Sequence, residues 1–333
     1  MQMKEVRKYV RKCEKCGQKL LKNGVECGKQ RWRCLSCGTA RICKRKDVTK
    51  RNQENTYKNH LLRKETANDV AKRRGVSRRT FSRRYASYVT LNDEDEASSK
   101  TIFAAYHPYL IIDATNLNCE VVAIVRGQKY VLTWAFSMYE SSSLWEVTLY
   151  RFNKPGGFVS DGQKGVLKAL YNLWGEDIIL QRCHFHIKQN IRAKLTNNPE
   201  SEAGQDLKWL MGFLSHVNDE YQMAIFVGIF YFYYDTHYSF LGERTYSSSP
   251  LSRRKWFYTH RRVRSAYRQI ADLLEKDQLF AYITHPELNL PRTTNGIEGG
   301  INARLSELLR AHRGMTPQRQ RQIVNVFLTS KKS

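Results

Sequence analysis

The sequence lacks an apolar run long enough to span a bilayer. Its longest apolar stretch, Met223 to Tyr234, is shorter than the roughly 20 residues that a transmembrane helix needs, and it indicates a buried helix instead. The chain starts with MQMKEVRKYVRK, which is basic but has no apolar segment after it, so we expect no signal peptide. Internal repeats and low-complexity tracts are also absent from the sequence. The short apolar stretch argues against a segment that spans a membrane.

Acidic residues are few, and they are unevenly distributed. The chain of 333 residues has 31 Asp and Glu against 56 Lys and Arg, which gives a formal charge of +25. Residues 1–90 contain 27 of the basic residues and 7 of the acidic ones, a balance of +20. Such a surface attracts polyanions over long range. Nucleic acid, a ribosome or an anionic membrane surface could each use this charge, so charge alone does not choose among them.

The cysteine pattern is not that of a secreted disulfide protein. Six of the eight cysteines precede residue 44. Two Cys-x-x-Cys pairs, each followed by glycine, are formed by Cys13, Cys16, Cys34 and Cys37. This spacing is typical of a structural zinc site with four thiolate ligands, and the glycines allow tight turns around the sulfur atoms. We expect a zinc ribbon over residues 1–45, in a reducing compartment, the bacterial cytoplasm. Cys27 and Cys43 lie outside the pattern, and either could be a substitute ligand or a bystander.

Residues 46–92 have helical character and predict a helix-turn-helix DNA-binding domain. Val70 and Ala71 provide an apolar face, Gly75 makes the turn, and Ser77 caps a second helix. Phe81 and Tyr85 are expected to face inward. The residues of this helix expected to contact DNA are Arg78, Arg79, Arg83 and Arg84. Arginine can contact guanine edges or phosphates, although a solvated basic face would have the same composition.

A polar, acidic segment, residues 93–100, predicts a linker. The residues after it alternate between strand and helix patterns, which predicts a mixed α/β domain. Strands are expected at 109–113, 119–125, 130–139, 158–161 and 177–183, and helices at 141–151 and 165–174. Three antiparallel strands followed by two parallel strands with helical crossovers form the ribonuclease H arrangement.

In that arrangement the first and fourth strands are parallel neighbours, and each is expected to end in a carboxylate, Asp113 and Asp161. With Glu298 from a later helix they could hold two Mg²⁺ or Mn²⁺ ions for phosphodiester chemistry. An aspartate at a strand end is often only a turn former. Asn295 is expected to cap the helix of Glu298, and a capping box with Glu298 is the alternative role of that carboxylate.

Four short strings carry a resemblance to a known family. They are Ile112-Asp113, Ser160-Asp161-Gly162, Cys183-His184-Phe185-His186 and Thr294-Asn295-Gly296-Ile297-Glu298. In this order they resemble the Mutator-like transposases of bacterial insertion sequences, over nearly the whole chain. The resemblance implies that Asp113, Asp161 and Glu298 are the catalytic acids. It also implies a helical insertion, here residues 196–285, between catalytic segments 101–195 and 286–333. The zinc ribbon departs from the commonest members, so the resemblance leaves the mode of end recognition open.

Two further groups of residues are candidates for DNA contacts. Cys183 and His186 match the family's Cys-x-x-His motif. His186 could reach the scissile phosphate or a base, or the pair could end a strand and pack a helix. In the insertion, the segment from Arg253 to Arg268 interleaves charge and aromatics, which suits strand binding and base stacking. Its candidate residues are Arg253, Arg254, Lys255, Trp256, Arg261, Arg262 and Arg264. A buried tryptophan is the alternative for Trp256.

These patterns together predict a multidomain α/β transposase. It would bind double-stranded DNA at the terminal inverted repeats of its element and at the target, near the nucleoid, as a homodimer or larger assembly. Magnesium or manganese ions would take part in strand cleavage and strand transfer, and a zinc ion would stabilise the fold. Two other functions remain open: a domesticated, non-cleaving DNA-binding regulator with a transposase fold, and a structure-selective nuclease.

Overall fold

The computed structural model describes residues 11–26, 29–42, 46–63, 65–90, 105–117, 119–247, 255–312 and 314–332. By contacts between residues the chain divides into two compact units, Met1–Tyr88 and Val89–Ser333. The expected linker at 93–100 lies outside the described residues, as do Cys27 and Cys43. None of the helices in the described ranges is long and apolar enough to cross a membrane.

The first unit begins with a small antiparallel sheet. Its strands are β1 (Leu20–Glu26), β2 (Lys29–Cys34) and β3 (Ala40–Ile42), with β2 in the centre. The core of this sheet is Cys13, Leu20 and Cys34, with Trp32 and Cys37 packed against it. A core this small supplies little hydrophobic stabilisation, and domains of this size usually need a metal or disulfide cross-link.

Three helices follow in the same unit: α1 (Lys46–Leu62), α2 (Ala67–Arg73) and α3 (Arg78–Thr90). Gly75 has a φ of +63° in the turn between α2 and α3, a conformation that glycine adopts without strain. The Ser77 hydroxyl accepts a hydrogen bond from the Thr80 amide at 3.1 Å and so caps α3. Phe81 and Tyr85 are buried, as their spacing indicates. The two helices and their turn therefore have the expected local form.

The second unit contains a five-stranded mixed sheet, which confirms the mixed α/β class. Its strands are β4 (Tyr109–Asn116), β5 (Val121–Arg126), β6 (Val131–Ser137), β7 (Gly157–Ser160) and β8 (Leu180–Arg182). The order is β6-β5-β4-β7-β8. The β6–β5 and β5–β4 pairs are antiparallel, and the β4–β7 and β7–β8 pairs are parallel. Helices α4 (Ser142–Leu149) and α5 (Lys164–Trp174) contribute Trp145 and Leu170 to the core of this sheet.

The first strand of the sheet extends beyond its expected end. The sequence predicts an end at Asp113, but the strand continues to Asn116. Parallel pairing with β7 ends at Ile112 and Ser160, whereas antiparallel pairing with β5 continues to the Asn116–Val121 pair. Asp113 is therefore the first residue of β4 that has no pairing partner in β7. Side chains from later segments of the chain can approach it there.

The region after β8 is mostly helical, as expected for 196–285. Its helices are α6 (His184–Leu195), α7 (Glu202–Phe213), α8 (Glu220–Gly242), α9 (Arg261–Glu275) and α10 (Ala281–Thr284). They share a second apolar core that includes Leu207, Phe226 and Ile270. A short ribbon of β9 (Arg244–Tyr246) and β10 (Trp256–Tyr258) stands between α8 and α9.

The C-terminal segment returns to the sheet. It comprises α11 (Asn295–Ile297), a π-helical turn (Glu298–Asn302), α12 (Ala303–Ala311) and α13 (Pro317–Thr329). Helix α13 and the residues after it cover the edge strand β6: the Trp134 indole donates to Asn325 Oδ1 at 2.8 Å, and the Val131 amide donates to the Lys331 carbonyl at 3.0 Å. Covering an edge strand in this way blocks pairing with another chain.

The expected capping box at Asn295 and Glu298 is wrong. Helix α11 starts from Thr294 without a side-chain cap. The Thr294 hydroxyl and amide instead donate to the Cys183 sulfur, at 3.4 and 3.3 Å. Asn295 is exposed, and the Glu298 carboxylate contacts His186. These tertiary contacts replace the local cap that the spacing indicated.

Candidate functional site

Asp113 is a buried carboxylate in the centre of the sheet. Only 5% of its surface is exposed. Its Oδ1 accepts a hydrogen bond from the Ala114 amide at 3.0 Å, and its Oδ2 accepts one from the Asn302 side-chain amide at 3.1 Å. The second bond joins residues 189 positions apart in the chain, and it ties strand β4 to the π-helical turn.

Asp161 follows directly after β7, at the strand position next to Asp113. Its Oδ1 accepts hydrogen bonds from the Gln163 amide at 3.0 Å and the Ser160 hydroxyl at 3.3 Å. Gly162 has a φ of +76°, which turns the chain sharply away from the sheet. The turn holds the Asp161 side chain at the edge formed by the carboxyl ends of the parallel strands.

Glu298 reaches the same edge from the C-terminal segment. It opens the π-helical turn, a form that is rare in helices and frequent at functional sites. Its Oε1 lies 3.0 Å from Nε2 of His186, at the start of α6. The side chains of this pair are 21% and 22% exposed, respectively, so solvent or a ligand can reach both.

The electrostatics of Asp113 indicate that the three carboxylates are close together. The pKa of Asp113 is raised to about 7, mainly because the side chain is buried and further because the charges of Asp161 and Glu298 are near. His186 and the Ala114 amide oppose this rise. The charges of Asp161 and Glu298 thus reach Asp113, but the oxygen atoms of the three acids do not form a cluster within 4.8 Å of one another.

Cys183 and His186 also belong to this site. The interaction with Cys183 is the main reason that the pKa of His186 rises to about 9, and Glu298 and Asp161 contribute to the rise. Burial would raise the pKa of Cys183, but interactions with His186 and Thr294 outweigh it and lower that pKa. The imidazole is therefore a cation at neutral pH, in contact with the Glu298 carboxylate and within 4.8 Å of the Cys183 sulfur.

Possible metal ligands occur in two groups within the described part of the chain. One is Cys183, His186 and Glu298, whose ligand atoms lie within 4.8 Å of one another. Glu298 is the third possible ligand of this group, and the sequence did not connect it with the Cys-x-x-His pair. However, the Cys183 sulfur accepts a hydrogen bond from Thr294, and the His186 ring contacts the Glu298 carboxylate. Contacts of this kind are also expected if the three residues orient the glutamate and bind no metal.

The other group comprises the four N-terminal cysteines, which lie together and could bind a structural metal such as zinc. The sulfur atoms of Cys16 and Cys34 are 3.4 Å apart, and those of Cys13 and Cys37 are 3.6 Å apart. Four thiolates with zinc–sulfur bonds of about 2.3 Å would be about 3.8 Å apart in a tetrahedron. Hydrogen bonds with the side chain and backbone of Thr39 lower the pKa of Cys37 to about 6, which favours the thiolate that binds metal.

The residues expected to contact DNA are only partly described. Trp256 is partly buried in β10, and the Arg244 guanidinium lies 4.1 Å above its ring. Arg253 and Arg254 lie outside the described residues. The arginines of α3 all have exposed side chains, namely Arg78, Arg79, Arg83 and Arg84.

Sequence reasoning missed two side chains of the site, Asn302 and Arg182. Asn302 holds Asp113, and its own Oδ1 is buried without a hydrogen-bond partner among the described residues. Arg182 donates from Nη2 to the Asp161 carbonyl at 2.9 Å. The four-residue spacing from Glu298 could have indicated Asn302, because such residues share a helix face. Nothing local indicates the role of Arg182.

The comparisons with known proteins add no family to these observations. The chain matches no protein-family model, and no curated protein and no solved structure shows significant similarity to it.

Proposed function

We propose that the chain is a metal-dependent DNA transposase of the Mutator-like type, with Asp113, Asp161 and Glu298 as its catalytic acids. One observation carries the proposal. Three carboxylates, from two neighbouring parallel strands and a distant π-helical turn, interact at one edge of a mixed sheet, and the most buried of them has a pKa of about 7. A carboxylate whose pKa is raised by burial and further by two nearby acids is characteristic of a functional site, and divalent cations could complete this one.

The donors at this site suit a hard divalent cation. Carboxylate oxygens and an amide carbonyl oxygen are the ligands that Mg²⁺ and Mn²⁺ prefer. The buried Oδ1 of Asn302, without a partner among the described residues, adds an oxygen of this kind. When bound, such ions activate the attacking water or 3′-hydroxyl and stabilise the leaving 3′ oxygen.

The surrounding residues would hold the acids in position. Asn302 donates to one oxygen of Asp113, and the protonated His186 holds one oxygen of Glu298. The Gln163 amide and the Ser160 hydroxyl orient Asp161. Each acid is thus restrained before DNA binds, which reduces the reorganisation that catalysis requires.

The strand order and directions support a ribonuclease H-like core. Three antiparallel strands are followed by two that run parallel, and the helices of 196–285 interrupt the chain before Glu298. The helix pair around Gly75 and the four cysteines suit an N-terminal module that recognises the ends of the element. The protein would act as a dimer or larger assembly on the bacterial nucleoid, because two ends must be paired.

Two other functions are weaker. A non-cleaving regulator would have no need for three carboxylates, and a structure-selective nuclease would have no need for two N-terminal DNA-binding modules.

The test uses the DNA that flanks the gene. Imperfect inverted repeats bounded by short direct duplications should be present, and a labelled repeat should be bound and nicked by the protein with Mg²⁺ or Mn²⁺. Asp113→Asn should bind the same repeat without nicking it. A wild-type protein that binds the repeat but never nicks it would favour the regulator.

A further inference from the structure

A cavity of about 590 Å³ lies between the sheet and the helical region of the second unit. One wall is formed by α5 and β8, with Tyr171 and Arg182, and the other by α9. We call it the arginine cleft. It is lined by six cationic side chains, Arg182, Lys194, Arg261, Arg264, Arg268 and Lys276, and by one carboxylate, Asp272. Arg261 and Arg264 belong to the basic and aromatic segment that the sequence already indicated for strand binding, whereas the arginines of α3 are not among the lining residues.

The cations of α9 form a continuous stripe. Arg261, Arg264 and Arg268 follow one another at intervals of three and four residues, so they share one face of the helix. Arg261 and Arg268 are exposed. Arg264 is held in place, because it donates to the Leu241 carbonyl at 2.9 Å and lies 3.7 Å above the Tyr258 ring. Like charges at this spacing repel one another and destabilise the helix, unless an anion bridges them.

Arg182 connects the cleft to the carboxylates. It lines the cavity, and it donates to the Asp161 carbonyl. A Cβ atom at Gly162 would lie 1.7 Å from its Cζ, so the guanidinium packs directly on the Asp161–Gly162 turn. Its Nε is buried and has no hydrogen-bond partner among the described residues. A half-buried cation with an unused donor has the chemistry of a site that takes an anionic oxygen.

The length of the stripe favours an extended polyanion over a single phosphate. Arg261 and Arg268 are seven residues apart, which is about 10 Å along a helix. Phosphates of one DNA strand advance about 3.4 Å each along the duplex axis. Because the strand winds around this axis, its successive phosphates are farther apart than this rise. The stripe therefore spans more than one phosphate, whereas one small anion could not contact both of its ends.

We propose that the arginine cleft binds the sugar–phosphate backbone of a DNA strand and leads it to Asp161, with Arg182 contacting the phosphate closest to the acids. The inference rests on the proposed function, since it concerns the DNA of the same site. It assigns the helical region a role in placing the strand, separate from the recognition of element ends by the first unit.

The test measures the salt dependence of DNA binding by the full-length protein. The probe is a mixed-sequence duplex with a single-stranded 3′ tail, and the variant is Arg261→Gln, Arg268→Gln. Each lost phosphate contact lowers the slope of log K against log salt by about 0.9. The double variant should therefore have a slope smaller by about two, and it should nick end DNA more slowly. The control is Lys129→Gln, Arg319→Gln, which removes the same charge from exposed positions outside the cleft.

Equal slopes for the variant and the control would overturn the inference. If the variant melts at a lower temperature than the control, hydrogen exchange of the wild-type protein decides: residues 261–276 should become protected when the probe is added, and no protection would refute the cleft. A changed slope in a protein whose wild type never nicks DNA would retain the cleft and reject the transposase. An unchanged slope in a protein that nicks DNA would reject the cleft and retain the transposase.

Discussion

Nε2 of His186 lies 3.0 Å from Oε1 of Glu298, although the two residues are far apart in the chain. The contact connects the first turn of α6 to the π-helical turn. Because the pKa of His186 is raised to about 9, the ring is protonated at neutral pH. Its Nε2 donates to Glu298, whereas its buried Nδ1 has no hydrogen-bond partner among the described residues. The Cys-x-x-His motif therefore restrains the third carboxylate, and His186 acts as a positioning residue.

His186→Ala should lower the nicking rate about 10- to 100-fold, the usual effect of removing a residue that orients a metal ligand. The Mg²⁺ concentration for half-maximal rate should rise, while affinity for end DNA stays nearly constant. His186→Gln carries an amide donor and should restore part of the rate. A lower melting temperature with unchanged Mg²⁺ dependence would show that His186 is only structural.

The three acids should act as one unit. Asp113→Asn, Asp161→Asn and Glu298→Gln should each lower strand cleavage by several orders of magnitude, because an amide is a poor ligand for a divalent cation. The double variant Asp113→Asn, Asp161→Asn should be hardly slower than either single variant. If Glu298→Gln nicks DNA at the wild-type rate, Glu298 is not a catalytic acid. Because Glu298 forms no capping box, a lower rate could not come from the loss of a helix cap.

Without added Mg²⁺, stability should fall as the pH rises. Asp113 has a pKa of about 7 in the folded protein and of about 3.9 in an unfolded chain. Between these two pKa values the folded protein binds a proton at Asp113 that the unfolded chain does not bind. This proton therefore stabilises the folded state fully below about pH 4, and the stabilisation is lost as the pH rises through about 7. Thermal melts should show Asp113→Asn to be more stable than the wild type at pH 8, with little difference at pH 4. Equal melting temperatures at pH 8 would contradict the burial of this carboxylate.

The purified protein should contain about one zinc ion per chain. Cys16→Ser, Cys37→Ser should lose it and unfold the small sheet, whose core includes two of the other cysteines, while the second unit stays folded. His186→Ala should retain the zinc. Two zinc ions per chain in the wild type, and one in His186→Ala, would mean that Cys183, His186 and Glu298 also hold a metal.

The exposed arginines of α3 should determine recognition of the element's ends. Arg79→Ala or Arg83→Ala should weaken binding of end DNA, by about 1–3 kcal/mol where the side chain contacts a base. Competition with mutated end sequences measures whether preference is relaxed at one position. Arg319→Ala is the matched control, because it removes an exposed arginine from the second unit. If Arg79→Ala, Arg83→Ala and Arg319→Ala weaken binding of end DNA equally, the arginines of α3 contribute only charge and do not recognise the sequence.

Local patterns in the sequence determined much of the architecture. Alternation and turn residues indicated the strands around Asp113 and Asp161, which form a mixed sheet, although the parallel pairing with β7 stops at Ile112 while β4 continues. The Cys-x-x-Cys pairs indicated a cysteine cluster, because four ligands in two tight turns need only short-range geometry. Such features depend on residues close together in the chain.

Only the tertiary structure decided which side chains meet at the acids. The contacts of Asn302 with Asp113 and of Thr294 with Cys183 join residues 189 and 111 positions apart, and no periodicity encodes a partner at that distance. For the same reason the capping box at Glu298 was wrong: its carboxylate forms an ion pair with His186 instead of capping its own helix. The arginine cleft likewise arises only when α9 packs opposite Arg182, which brings dispersed cations to one cavity.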